Sequence, residues 1–477
     1  MSATPVDPAA AGAASIPTDA PARATHRLLR LAIAAFALLI VLLIALHVHL
    51  YADGAFFLYQ VIQTGATTEF AGGRGFAYLA TQWPLVLGLR AGVTRVETLS
   101  HLYGAGLYLP SLAGLACCAW VARGRPELLL FPVLSAVAVT ASAAFFVISE
   151  SHLLVSLFWP LVFLLALRRD WSVGTFVLAA ALAVPTLLSY ESMVFLGPVL
   201  AALAAWRARG APGAARRLGF AALAAYFVAG IGVAAWWIVN PSTPSNLESF
   251  FDSLRFYRDH LGHWHVLGLL SLAGLTLAAA ALLRPPPPSW RRALLLVFAL
   301  ACAAAVLLPL LRPTSVAPLL HYRARVLNAY VPPLLALGFL LALRRSPRPA
   351  GWHFAAAVAA VLALAQLGWH AQAARYWAGY LDVFRREVAT RHGLVPFDQS
   401  VLSRPEVGGR PLAAMNWGWT MPLMSVLLAP GGNVRSIVEN PQRDHWQPFP
   451  PGDPDSLPDL SRVGIRFDAY RAALGER

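Results

Sequence analysis

The stretch HVHLYADGAFFLYQ, His47 to Gln60, decides how this chain is read. It begins as the tail of a long apolar helix and ends in an aromatic run, with one carboxylate, Asp53, at the changeover. An ionisable residue where a membrane-crossing helix meets water is cheap to place, and it points at chemistry on that face of the bilayer. Asp53 is therefore the centre of the candidate site. Taken alone, an Asp followed by Gly54 is at least as simply read as a helix N-cap.

The chain around this stretch has the composition of a membrane protein. Its 477 residues are 58% hydrophobic and 13% charged, with mean hydropathy +0.59, outside the usual range of soluble domains. All 37 basic residues are Arg, and 23 acids leave a formal charge of +14. In a soluble chain that balance would raise nucleic-acid binding. Here the arginines cluster in short loops between apolar runs, so the membrane explains them and no nucleic-acid partner is expected. Cys117, Cys118 and Cys302 lie inside apolar runs and read as packing residues.

Residues 1–26 have the composition of a disordered tail. A run from about Leu28 to Leu50 follows Arg23, Arg27 and Arg30 and is long enough for a hydrocarbon core of ~30 Å. It lacks a small-residue cleavage pattern, so it reads as a retained anchor with a cytoplasmic N-terminus. Residues 51–100 then form the first outer loop. Within it, a turn at Gly72, Gly73 and Gly75 precedes Gln82-Trp83-Pro84-Leu85, which with Arg90 and Arg95 suits an interfacial helix. Further apolar runs occupy about 101–122, 128–148, 152–167, 172–190, 192–206, 218–239, 265–283, 292–311, 326–343 and 351–370. The expected fold class is an all-α polytopic membrane protein with about eleven transmembrane helices in residues 27–370.

Charge supports that count. With alternating topology, the inner loops carry Arg123 and Arg125, then Arg168 and Arg169, Arg207 to Arg217, Arg284 to Arg292, and Arg344 to Arg348. Cytoplasmic loops are enriched in Arg, and a miscount by one span would invert the pattern. An odd number of spans puts the C-terminus outside. Residues 371–477 are then a small extracytoplasmic C-terminal domain. It opens with an amphipathic segment (Tyr376, Trp377, Tyr380, Leu381, Phe384) and contains NWGWTMPLMSVLLAP, with one short buried element.

Three carboxylates fall at span ends facing one compartment: Asp53, Glu150 in ISESH and Glu191 in LLSYESMV. Glu69 lies in the first loop and His152 two residues beyond Glu150. Acids converging from separate helix ends could bind a divalent cation, with Asp53 and Glu150 as its ligands, or act as a general base. Glu150 and Glu191 are also read as caps of the helices that follow them. On the cationic side stands LHYRARV, with Tyr322, Arg323 and Arg325, at the outer mouth of a span. A guanidinium pair there suits phosphate or pyrophosphate, or snorkels to lipid headgroups. The loop from Asn240 to His265, with Asn246, Glu248, Arg258, His260 and His263, is polar enough for a cavity wall. Its His-x-x-His has no matching acids.

These features together resemble the GT-C superfamily of membrane glycosyltransferases, which includes protein mannosyltransferases and aminoarabinose transferases. The matching residues are the acid in YADGAFFLYQ, the segment QWPLVLGLRAGV, the span opening ETLSHLYGAGLYLPSLAG, and the second acid in SESHLLVSLFWPLVFLLAL. They cover roughly the first 210 residues in order. The resemblance implies a polyprenyl-phosphate-linked sugar as donor, taken from the membrane lipid, and transfer on the outer face of a bacterial inner membrane. It implies Asp53 as acceptor base or metal ligand, Glu150 as the second-loop acid, and Arg323 or Arg325 at the donor phosphate. Asp53 is followed by Gly54 and Ala55 rather than a second acid, a departure that bears on metal dependence. The alternative is a flippase or transporter of a lipid-linked glycan. It would need the same acids and arginines, but no repeat relates the two halves of the chain.

Overall fold

The computed structural model describes residues 19–68, 72–141, 151–240, 266–311, 326–407, 410–412, 415–441 and 453–475, and most of them are helical. Helix α1 runs Asp19–Ala45, starting well before Leu28 and carrying Arg23, Arg27 and Arg30 in its first turns. After a tight turn comes α2, Asp53–Thr64, stopped by Gly65 in the left-handed region (φ +73°) as a helix-ending glycine is. Then follow α3 (Gly75–Arg90), α4 (Val96–Val121), α5 (Leu130–Ala141), α6 (Ser151–Leu167), α7 (Val173–Ala183), α8 (Met193–Gly210) and α9 (Ala214–Val239). The remaining long helices are α10 (Val266–Leu283), α11 (Pro288–Leu311), α12 (Val326–Arg345) and α13 (Pro349–Thr390).

Every apolar run expected as a span carries a helix. Six helices among the described residues are long and apolar enough to cross a membrane: Ala22–Ala45, Val96–Val121, Ala214–Val239, Val266–Leu283, Pro288–Leu307 and Pro349–Thr390. This is an all-α membrane protein. Its helices are unequally sheltered: 72% of the apolar window of α13 is buried by protein, against 17% for α11. The first is the hub of the bundle and the second a rim helix. Rim helices turn Leu218, Val228, Val239, Val297 and Leu300 outward, as an apolar solvent permits. In such a solvent helix association depends on close backbone approach. It is seen where Gly106 of α4 lies on the carbonyl of Thr81 in α3, and where Gly114 lies on the carbonyl of Ser156 in α6.

Helix α13 is 42 residues long, about 60 Å at 1.5 Å per residue, twice the ~30 Å hydrocarbon thickness. It runs without interruption from the last expected span into the amphipathic segment, whose Trp377, Tyr380, Leu381 and Phe384 are buried. Beyond it the chain forms a small mixed region. Strand β1 (Gly393–Val395) pairs in parallel with a later strand, Ser436–Val438, and between them β2 (Glu406–Val407) and β3 (Arg410–Pro411) make an antiparallel pair. The later strand is β4. The buried element in NWGWTMPLMSVLLAP is a short helix, α14 (Met421–Leu427), all of it buried. Its Ser425 hydroxyl accepts from the Val438 amide at 3.0 Å, tying helix to sheet. A last helix, α15, spans Asp468–Gly475.

This region packs onto the stretch from His47 to Gln60. Tyr51 meets the Trp377 ring edge-on at 5.4 Å and Trp417 at 6.0 Å, and Phe56 lies 5.5 Å from Trp419. Arg462 donates to the carbonyl of Ile62 near the end of α2.

Candidate functional site

The turn joining α1 to α2 is built under strain. A short 3-10 turn, Val48–Leu50, is bracketed by two residues with positive φ, His47 at 52° and Ala52 at 53°. Side chains with a Cβ rarely adopt this region, and such strain persists only where the surroundings impose it. Here they do: the Trp377 indole N–H donates to the His47 carbonyl at 2.9 Å, and the rings of Trp377 and Tyr380 stack at 5.2 Å. The turn delivers Asp53 to the first position of α2. There the positive end of the helix dipole faces the carboxylate. From Tyr51 to Tyr59 every residue is buried except Asp53, which is part-exposed. Burial, and then Tyr380 and the Asp53 charge, hold the Tyr51 hydroxyl protonated well above its ordinary range. A neutral hydroxyl thus stands in the electrostatic reach of the carboxylate.

On the other side of the turn lies a histidine cluster. His47 Nδ1 is 2.9 Å and His49 Nε2 is 2.7 Å from the Ser100 hydroxyl. One hydroxyl can donate to one ring and accept from the other, which suits two neutral imidazoles. The rings of His47 and His101 stack at 4.4 Å, and His49 is wholly buried against Gly104, where a Cβ would lie 2.5 Å from its Nδ1. His47, just past the end of α1, is pushed down to about 4, first by burial, then by His101 and Arg385, with Glu97 opposing. His49 is likewise held well below its ordinary value, mainly by burial. His47 and Ser100 line a cleft of about 370 Å³ together with Glu97, Arg385 and an apolar wall from Leu50, Leu58, Val96 and Leu427 to Pro430.

The residues singled out from the sequence are placed unevenly. Glu191 is one residue before Ser192, the N-cap of α8, so it is not that cap. Its Oε1 instead accepts from Arg74 Nε at 3.1 Å and Nη2 at 2.9 Å, and the same guanidinium lies 4.6 Å over the Tyr190 ring. The amide of Phe76 donates to the Leu188 carbonyl at 3.0 Å beside it. The first loop is therefore pinned to the segment between α7 and α8. His152, in the first turn of α6, is buried and lines a second cavity with Ser111, Ser156, Phe36 and Trp159. Ser111 and Ser156 hydroxyls are 3.0 Å apart there. Glu69, Glu150, Tyr322, Arg323 and Arg325 lie outside the described residues, as do Asn246, Glu248, Arg258, His260 and His263. Among the described residues no three His, Cys, Asp or Glu side chains are grouped to hold a metal ion.

Sequence reasoning passed over His47, His49, Ser100, Glu97 and Arg385. A signal was available: His-Val-His closes one apolar run and Ser-His opens another, polar pairs at two span ends that alternating topology puts on one side. No protein-family model matches the chain, and neither does any curated protein or solved structure.

Proposed function

We propose that the chain is a GT-C-type glycosyltransferase with about eleven spans, its N-terminus cytoplasmic and its C-terminus outside a bacterial inner membrane. It would move a sugar from a polyprenyl-phosphate-linked donor to a lipid, glycan or protein acceptor on the outer face. The observation that carries this reading is the exposure of Asp53 alone in an otherwise buried run, on a turn strained at both ends and clamped from 330 residues away by Trp377. In this reading Asp53 takes the acceptor proton, or holds a divalent cation with Glu150, and Tyr51 hydrogen-bonds the reacting group. Arg323 or Arg325 holds the donor phosphate. Glu69, His152, Glu191 and Tyr322 contribute the walls.

Asp53 is the first residue of α2 and Ala52 its N-cap, so the side chain is not the cap, and Asp53→Asn removes its charge at nearly constant shape. In membranes supplied with a polyprenyl-linked sugar, transfer by this variant is expected to fall about 10²–10⁴-fold, the usual contribution of a general base, at an unchanged protein level. Undiminished transfer overturns the reading. A glycan defect seen only in intact cells, and absent from membranes open on both faces, assigns the chain to translocation instead.

A further inference from the structure

The cleft beside His47 is unused by the function proposed above, and its chemistry is specific. It opens one turn past the end of the span Ala22–Ala45 and at the first turn of the span Val96–Val121. Where apolar spans end, lipid headgroups begin. Two of its lining residues carry opposite charges, Glu97 on α4 and Arg385 on the far part of α13. They do not pair with each other. Glu97 meets Arg95 at 3.5 Å with side-chain exposures of 62% and 79%, and Arg385 meets Asp382 at 3.5 Å with exposures of 43% and 62%. Exposed pairs of that kind are held only weakly, so a ligand can recruit both charges. Glu97 and Arg385 are the acid and the guanidinium in the lining, which therefore carries no net charge among the described residues. The ring nitrogen of His47 that does not face Ser100 makes no hydrogen bond among the described residues. The opposite wall, Leu50, Leu58, Val96, Leu427 and Leu428, is apolar.

A site that is neutral overall, with plus and minus ends and one apolar wall, matches a zwitterion on a hydrocarbon stem better than an anion or a plain sugar. We infer that the cleft binds the phosphoethanolamine headgroup of a membrane lipid, with its phosphate on Arg385, its ammonium on Glu97 and its first methylenes on the leucine wall. An Arg–phosphate contact is charge-assisted and strong. The carboxylate supplies the selectivity, because phosphatidylglycerol offers the same phosphate with no ammonium.

The test uses the purified full chain in detergent, titrated with dioctanoyl phosphatidylethanolamine and dioctanoyl phosphatidylglycerol and followed by tryptophan fluorescence. The ethanolamine lipid is expected to bind about tenfold more tightly, the equivalent of one charge-assisted contact. Glu97→Gln is expected to erase that preference, Glu97→Asp to keep most of it, and Arg385→Gln to weaken both lipids. Both positions are exposed, so the variants should elute and melt as the unaltered chain does. Equal affinity for the two lipids, or a preference that survives Glu97→Gln, overturns the inference. Soluble O-phosphoethanolamine is the second arm: weaker binding than the lipid supports a headgroup site, and equal binding overturns the lipid assignment in favour of a free phosphoamine. None of these outcomes depends on sugar transfer.

Discussion

At the scale of single residues, the turn before α2 makes two expectations. Ala52 has φ +53° and is 2% exposed. A β-branched side chain is worse still in that region and has no room to swell, so Ala52→Val should cost about 2–3 kcal/mol. A lower melting temperature in detergent would register it, and an unchanged one would show that the turn is relaxed. The second expectation concerns His47, whose value in the folded chain, about 4, lies below the ordinary 6.5. Between those limits the unfolded chain binds more protons, so stability is full above pH 6.5 and falls as pH drops toward 4. A shift of this size corresponds to about 3 kcal/mol at most. Melting temperature against pH should decline through that window, and His47→Gln should flatten the decline. An identical profile in the variant would assign the pH dependence elsewhere. Asp53 was legible as a candidate in the sequence because it is the one carboxylate between the first apolar run and the aromatic run that follows it. The partners that surround it were not, because Trp377, Tyr380 and Trp417 look like ordinary apolar residues until they are brought together.

At the scale of elements, α4 crosses two neighbours at backbone contact. A Cβ at Gly106 would run into the Thr81 backbone carbonyl, and one at Gly114 into that of Ser156. Backbone cannot rotate away as a side chain can. Gly106→Ala should therefore force α3 and α4 apart and cost about 1–3 kcal/mol. Gly124→Ala, with nothing within 4 Å, is the matched control. Equal melting temperatures for the two variants would contradict the close crossing. The positions of the helices could be read from apolar run length and Arg spacing. Their ends could not be read as well: α1 begins at Asp19 and α13 extends to Thr390, because hydropathy marks where lipid stops, and a helix need not stop with it.

At the scale of the whole molecule, the first loop and the chain beyond α13 form one packed body around the Asp53 turn. One of the long-range links is the Trp377 indole on the His47 carbonyl, 330 residues apart. Trp377→Phe keeps a ring against Tyr51 and Tyr380 but removes one of that carbonyl's two donors, the Leu50 amide staying at 3.0 Å, at a cost of about 0.5–1.5 kcal/mol. Because the same carbonyl orients the turn carrying Asp53, the proposed function makes a further expectation: sugar transfer should fall more than the loss of folded protein accounts for. Activity that simply tracks the folded fraction would reduce Trp377 to a packing residue.

The sequence by itself determined the class of this protein: a predominantly helical chain built for an apolar solvent, with helices where apolar runs lack charge and with one acid at a conspicuous changeover. Local composition suffices for this, since transfer of a segment into lipid depends on that segment alone. Only the tertiary structure decided that Glu191 is held by Arg74, that two histidines share Ser100, and that Glu97 and Arg385 face one cleft. Those facts are meetings between residues from 51 to 288 positions apart in the chain. No pattern read along a single helix contains them, because they depend on which helix ends the packing brings side by side.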